Sequence, residues 1–510
     1  MRTFWEDLSK RIGETAESVS NKAGEAVEIQ KLKSQIRALE RGTEEDLIDL
    51  GRMVYEYFEA RILYGYYKYG ESLPSINKIC QMFHLAQATV RAGLALLEKG
   101  GYVRVDPRTA PVVVYKAGPA GFRESAARYF VSRKAGIADW VLSGKLLFEP
   151  LWRECLMRWS DEDWKRFLDN MKHLSVESVS MPAALYILVF KAPDNRLFLN
   201  LYWETVRYIR FAYLMVRKDQ AVLTDQELEG LSREEVISLL GQTFETLYGR
   251  ITADLLSFIA QAQDEFDLGD MEQVPFYWNI YRKRPQMRYT LVSRILREIE
   301  RGDYPRGTYL PSLPCMAQRY EVSFNTVRRS LSILDSMGIT RSLQGKGTLV
   351  LAEAEKADLA NPEIREGMKL YLDSLQLMTL TIKPVVQYTL ENAPADAVEK
   401  LQYDVRQLGK NRNSYKIFEV VLTFIAENCR LNLVKECYNK LRELIVWGYP
   451  IALLRLRERE FHMEYNDMVA QAGRYLDEGN AEAFSGSVKE FMGREYQEVR
   501  IFLESADTRQ

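Results

Sequence analysis

Histidine and cysteine are scarce in this 510-residue chain: three histidines (His84, His173, His462) and five cysteines (Cys80, Cys155, Cys315, Cys429, Cys437). They form no CxxC, no HExxH and no paired framework, which excludes the spacings of a zinc site or of a disulfide-stapled fold. The thiols are expected to be buried or neutral groups in a reducing compartment. Long apolar runs are also missing. The longest, Ala183 to Phe190, falls far short of the roughly 20 residues that cross a bilayer, so no transmembrane helix is expected. The first eleven residues alternate charge with Phe4, Trp5 and Leu8 instead of forming the apolar core of a secretory signal, and a cytoplasmic protein is expected. Charge of one sign is lacking too, with 69 Lys and Arg against 71 Asp and Glu and a formal net charge of −2. That excludes a surface basic all over, while leaving room for a local basic patch. There is no nucleotide loop and no Ser or Cys with a spaced His and acid, so neither an enzyme nor a cofactor is expected.

What the chain does have is length for three or four domains, a 47% hydrophobic share that supports packed cores, and an internal repeat. Gly70, Leu73-Pro74-Ser75, Gln81, Thr89-Val90-Arg91, Leu94, Leu97 and Gly101 recur 237 residues later as Gly307, Leu310-Pro311-Ser312, Gln318, Thr326-Val327-Arg328, Leu331, Leu334 and Gly338. No gap is needed. A colinear dozen of matches that includes two tripeptides points to duplication.

Each copy reads as one small module. In the second, Leu291, Ile295, Leu296 and Ile299 recur at helical spacing, and Gly302, Pro305 and Gly307 break that helix. Ser312 is placed to cap a short helix around Met316 to Tyr320. Val322-Ser323 makes a turn, and Ser323 caps a further helix with Val327, Leu331 and Leu334 on its apolar face; Gly338 ends it. Ile339 to Leu351 reads as two short strands around Gly345-Lys346-Gly347. Three helices and a β-hairpin make a winged helix-turn-helix.

Around these modules the pattern is helical, with acidic heads such as Ser160-Asp161-Glu162-Asp163 and Ser232-Arg233-Glu234-Glu235. The reading is mainly α: an amphipathic N-terminal segment over 1–44, winged head 1 over 45–116 with a degenerate wing, an all-helical domain over 120–280, winged head 2 over 285–353, and a second all-helical domain over 358–507. The helical blocks echo each other weakly through Asn195-Arg196-Leu197-Phe198-Leu199 and Arg430-Leu431-Asn432-Leu433.

The run of Leu-Pro-Ser, Val-Ser, Thr-Val-Arg, spaced leucines and Gly-Lys-Gly-Thr resembles the winged-helix head of GntR-family bacterial transcription regulators. The helical blocks are similar in length and content to that family's helical effector-binding domains. The resemblance implies sequence-specific binding to double-stranded DNA, control by a small-molecule effector, and dimerisation to read two half-sites. It also implies an Arg two residues after the Ser of Leu-Pro-Ser and another after the Ser of Val-Ser. Those positions hold Asn77 and Gln87 in head 1 and Pro314 and Phe324 in head 2. Head 1 further replaces the turn serine with Ala86 and the glycine wing with Asp106-Pro107-Arg108-Thr109-Ala110-Pro111.

A recognition helix presents its N-terminal residues to base edges in the major groove. In head 2 these are Ser323, Phe324, Asn325, Thr326, Arg328 and Arg329, where Asn suits adenine and Arg suits guanine. Ser312, and on the wing Arg341, Gln344 and Lys346, complete the expected contact set. Ser75, Gln87, Thr89 and Arg91 are the counterparts in head 1. Arg91 and Arg328 could alternatively serve ion pairs inside the heads. Met287 to Leu351 carries ten basic and five acidic residues, a local +5, whereas Glu45 to Tyr115 carries eight of each. Phosphate contacts dominate nonspecific affinity, so head 2 is expected to be the stronger reader.

Related effector domains hold a divalent metal through one Asp and three His. With one His per helical block that set is incomplete, and a metal-free effector site with Arg207, Arg210, Arg455 or Arg457 as carboxylate partners is expected, against surface salt bridges as the plainer use. The aromatics Phe198, Tyr202, Trp203, Tyr208, Phe211 and Tyr213 read as core or interface. The duplication suggests an intrachain pseudo-dimer; a homodimer is the other reading. The rival function is a scaffold or ligand sensor whose heads contact protein.

Overall fold

The computed structural model describes residues 44–63, 67–83, 87–106, 109–116, 119–165, 189, 195–210, 230–280, 286–351, 361–410, 414–448, 451 and 459–507. The N-terminal amphipathic segment, the basic run 282–284, Phe211, Tyr213, Arg455 and Arg457 lie outside them, as do the side chains of Trp203 and all three histidines. The described chain is mainly helical, with two small antiparallel sheets and helical regions between and after them. Among the described residues no helix is long and apolar enough to cross a membrane.

Two compact units form, each from three stretches of sequence. Unit 1 takes the described residues of 1–137, 159–185 and 206–274, and unit 2 those of 138–158, 186–205 and 275–510.

Unit 1 contains head 1. Helices α1 (Glu44–Leu63), α2 (Ile76–Phe83) and α3 (Gln87–Lys99) are followed by strands β1 (Val103–Arg104) and β2 (Val112–Val113). Val54, Phe58 and Ile62, four apart on α1, pack with Leu73, Ile79, Val90, Leu94 and Leu97 into a closed apolar core. The wing survives without glycine: Val103 pairs Val113, Arg104 pairs Val112, and Ser72 bridges Val112 as a third strand position. Helix α4 (Pro119–Val131) and the long α7 (Arg233–Glu265) pack together in the same unit. Ser232 and Glu235 form the capping box read from sequence, with the Ser232 hydroxyl accepting from the Glu235 N–H.

Unit 2 contains head 2: α8 (Gln286–Arg301), α9 (Leu313–Arg319), α10 (Phe324–Ser336), β3 (Thr340–Leu343) and β4 (Gly347–Val350). It also holds α11 (Pro362–Asn392), α12 (Ala395–Lys410), α13 (Ile417–Asn428), α14 (Asn432–Ile445), α15 (Arg459–Asp477) and α16 (Ala481–Asp507). Most of α5 (Lys134–Met157) and of α6 (Arg196–Ile209) joins them. Their contacts are reciprocal. Asn195, ahead of α6, donates its Nδ2 to the Asp373 carbonyl of α11 at 2.9 Å, and the Asn432 N–H of α14 donates to Asp139 Oδ2 of α5 at 2.6 Å. Asn195 also donates to Gln376 Oε1 at 2.8 Å; Asn195 and Asn432 are 237 residues apart, and so are Asp139 and Gln376, so each position of the repeat meets the other's counterpart. Trp278, fully buried, sits on this region by donating its backbone N–H to Glu436 at 3.1 Å and its indole N–H to Asn200 at 2.7 Å. Burial pushes the Glu436 carboxyl up from its ordinary value, and the Trp278 N–H partly opposes it.

Cys155, Cys429 and Cys437 are buried and their thiols are pushed up by burial, which keeps them protonated; Cys315 is exposed.

Candidate nucleic-acid interface

In head 2 the reading surface is built by caps. Ser312, in extended backbone, accepts the Cys315 N–H at 3.5 Å and starts α9. Ser323 accepts the Thr326 N–H at 3.1 Å and starts α10, with the two hydroxyls 2.8 Å apart. These bonds satisfy first-turn amides that a helix cannot pair itself. Val327, Leu331, Ile333 and Leu334 are buried on the inner face of α10. That fixes the opposite face: Phe324, at 56% exposure, and Asn325, Arg328 and Arg329 all point to solvent. Thr326 is half-buried, its amide already committed to Ser323.

The wing is a four-residue pair, Thr340 with Val350 through Leu343 with Gly347, and Tyr309 bridges Leu349 as a third strand position. Gly345 and Gly347 turn its tip at φ 75° and 103°, left-handed backbone that favours glycine. Arg341, Gln344 and Lys346 are exposed on it. One acidic residue sets its angle: Asp335 of α10 accepts from the Thr340 hydroxyl and from the Ser342 N–H, the latter at 3.0 Å. Glu98 does the same in head 1, accepting the Val105 N–H at 2.8 Å. Sequence reasoning missed this strap, although an acid recurring at the repeat separation was its visible signal.

Seven of head 2's ten positive charges fall into two sets. Arg288 pairs with Glu363 at 2.8 Å, and Arg319 and Arg294 lie 3.4 and 3.9 Å from the largely buried Glu298, which also accepts the Tyr320 hydroxyl at 2.5 Å. Burial and Glu298 together push the Tyr320 phenol far above its ordinary value. By contrast, Arg328, Arg329, Arg341 and Lys346 make no ion pair with any described residue. The structural-ion-pair alternative for Arg328, and likewise for Arg91, finds no partner among the described residues.

In head 1, Ser75 accepts the Lys78 N–H at 3.3 Å, and Gln87 and Arg91 are exposed on α3. Thr89 is buried, at 2% exposure, so its side chain packs inside the head and is not presented at the surface. Gln87 donates to Asn77 Oδ1 across the turn at 2.7 Å.

Two arginines expected as effector ligands are engaged elsewhere. Arg207 grips Glu56 of α1 through both carboxylate oxygens, at 2.6 and 2.5 Å, and Arg210 reaches Glu59 at 3.4 Å. Tyr129 of α4 donates to the carbonyls of Arg207 and Tyr208 at 3.1 and 2.9 Å, with the Arg133 and Arg210 guanidinium groups 3.9 and 4.2 Å from its ring centre. Head 1 is thus fastened to α4 and the end of α6 within unit 1.

The family "Bacterial regulatory proteins, gntR family" matches twice, over residues 50–113 and 289–350. Both heads are GntR-family domains. The two matched spans coincide with the two winged modules of the repeat. A curated relative, the uncharacterised HTH-type transcriptional regulator YhcF of Bacillus subtilis (strain 168), is 26% identical over 98 residues, covering 19% of this chain and 81% of the relative. Among solved structures, a GntR protein of Streptococcus agalactiae is 16% identical, covering 41% of this chain and 99% of its own, with a TM-score of 0.20. McbR/YncC of E. coli is 16% identical, covering 42% of this chain and 98% of its own, with a TM-score of 0.23.

Proposed function

We propose that the chain is a sequence-specific regulator of transcription that binds double-stranded DNA chiefly through head 2 and answers to an effector through its helical regions. The observation that carries this reading is the division of charge in head 2. Arginines that stabilise the module are paired, while four basic groups on the recognition helix and wing are exposed and make no ion pair with described residues. Unpaired cations on the two elements that enter and flank a groove are what phosphate and base-edge contacts require.

A mobility-shift titration of the full chain at two salt concentrations tests it. Wild type is expected to bind with affinity that falls steeply with salt. Lys346→Ala should weaken all duplexes alike and lower the salt slope by about 1, and Arg328→Ala should cost about 1–3 kcal/mol and relax preference at one base pair. Absence of salt-steep binding to any duplex would favour the rival, heads kept for protein contacts.

The reading extends to assembly. Reciprocal contacts between equivalent positions are the mark of a two-fold interface, and the Asn195–Gln376 and Asn432–Asp139 contacts support that reading inside one chain. On this reading one chain carries both heads to one operator as a pseudo-dimer. Sedimentation is expected to give one chain per duplex; an obligate dimer of chains would overturn the pseudo-dimer.

A further inference from the structure

Head 1 has no net charge, yet its second and third helices carry a hydrogen-bonded pair of exposed amides. Gln87 opens the recognition helix α3 and Asn77 lies on α2; both are exposed, and the Gln87 Nε2 donates to Asn77 Oδ1 at 2.7 Å. Neither side chain makes any other hydrogen bond to a described residue. The consequence is chemical. An amide nitrogen carries two hydrogens, so Asn77 occupies one and leaves the other, with the Gln87 Oε1, for a further partner. A donor next to an acceptor on one planar group matches the N7 acceptor and N6 donor of adenine in the major groove. The bond turns the Gln87 nitrogen towards Asn77 Oδ1, and a carboxylate at position 77, which can only accept, would hold it the same way. The two positions correspond to Pro314 and Phe324 in head 2, where no such pair can form.

We propose that head 1 reads an adenine through Gln87, with Asn77 as the positioning residue that fixes the Gln87 amide. The inference rests on the DNA-binding reading above. It divides the work: head 2 supplies salt-dependent affinity through its cations, and neutral head 1 supplies base discrimination that releases no counterions. The surroundings permit this, since Ser75, just ahead of α2, and Arg91, on α3, are exposed.

The test starts by enriching tight-binding duplexes from a random pool with the full chain, then replaces each adenine of the enriched site in turn by 7-deazaadenine, which lacks the N7 acceptor. One adenine is expected at which this change weakens wild type about 5- to 100-fold. The Gln87→Ala variant should bind more weakly by a similar factor, be indifferent to the deaza change there, and keep the wild-type salt slope. Asn77→Leu should lose adenine-over-guanine preference at that position, whereas Asn77→Asp, which still accepts from Nε2, should retain the preference even as added negative charge lowers affinity overall. Tight binding with no adenine whose N7 effect depends on Gln87, or a Gln87→Ala variant with an altered salt slope and unaltered preference, would overturn the inference and leave DNA binding standing. Failure to enrich any duplex would instead overturn the DNA-binding reading and this inference with it.

Discussion

Trp447→Ala is expected to be among the most damaging single changes in unit 2, costing about 3 kcal/mol, the lower part of the range for a large aromatic removed from a core. Trp447 is fully buried beside Gly367 of α11; a Cβ added to that glycine would lie 2.1 Å from the indole ring. Tyr289 of α8 meets the same ring edge-on at 5.4 Å. Trp447 therefore joins the first helix of head 2 to the helical region, and its loss leaves a cavity on both sides. The figure sits low because the indole N–H has no hydrogen-bond partner among the described residues, so truncation also removes an unpaired buried donor worth about 1–3 kcal/mol. The same reasoning separates two variants: Trp447→Phe, which keeps most of the ring and discards the N–H, should cost about 1 kcal/mol. Denaturant unfolding of the full chain, followed for the transition that carries unit 2, checks both. A Phe variant as damaging as the Ala variant would show that the indole nitrogen matters more than the packing.

Arg207→Ala is expected to destabilise unit 1 by about 2 kcal/mol, between the small value of an exposed ion pair and the large one of a buried pair broken on one side. The side chains of Arg207 and Glu56 are 27% and 17% exposed, which places them between those limits. Removing the guanidinium takes two hydrogen bonds from Glu56, while Arg210 still holds Glu59. The charge-swapped pair Glu56→Arg with Arg207→Glu should recover about half of the loss, and a double-mutant cycle should return a coupling of about 1 kcal/mol or more. Raising salt from about 0.05 to about 0.5 M should weaken this fastening only modestly, because screening is least effective for partly buried pairs. Additive single changes, with no coupling, would mean that the apolar core of head 1 alone decides its placement. Head 2 offers a contrast: the positions equivalent to Glu56 and Glu59 are Ser293 and Leu296, both buried, so that ion pair cannot form there, and its first helix is tied to α11 through Arg288 and Glu363 instead.

The heads were legible because their signals are local. Ser312 and Ser323 cap amides three residues on, Gly345 and Gly347 supply left-handed backbone at a turn, and leucines one helical turn apart declare the buried face of α10. Each acts over a few residues, so composition and spacing reveal it, and duplication repeats it. The exposure of the candidate side chains was readable to the same extent: that of Phe324, Arg328 and Lys346 follows from knowing which face of a helix or wing is outside. Thr89 was not, because its position on the helix places it on the buried face. The Asn77–Gln87 pair lay between, two substitutions visible one by one whose bond forms only when α2 and α3 cross.

The sequence by itself determined the two winged modules, their order and their unequal charge, since helix caps, turn glycines and residue counts need no distant partner. Only the tertiary structure decided which charges remain available and which are consumed. Arg207 meets Glu56 across 151 positions, Asn195 meets Asp373 across 178, and α5 and α6 contribute to a unit otherwise built after residue 275. Such pairings depend on which surfaces become adjacent once the chain has closed on itself, and no periodicity along the sequence encodes that adjacency.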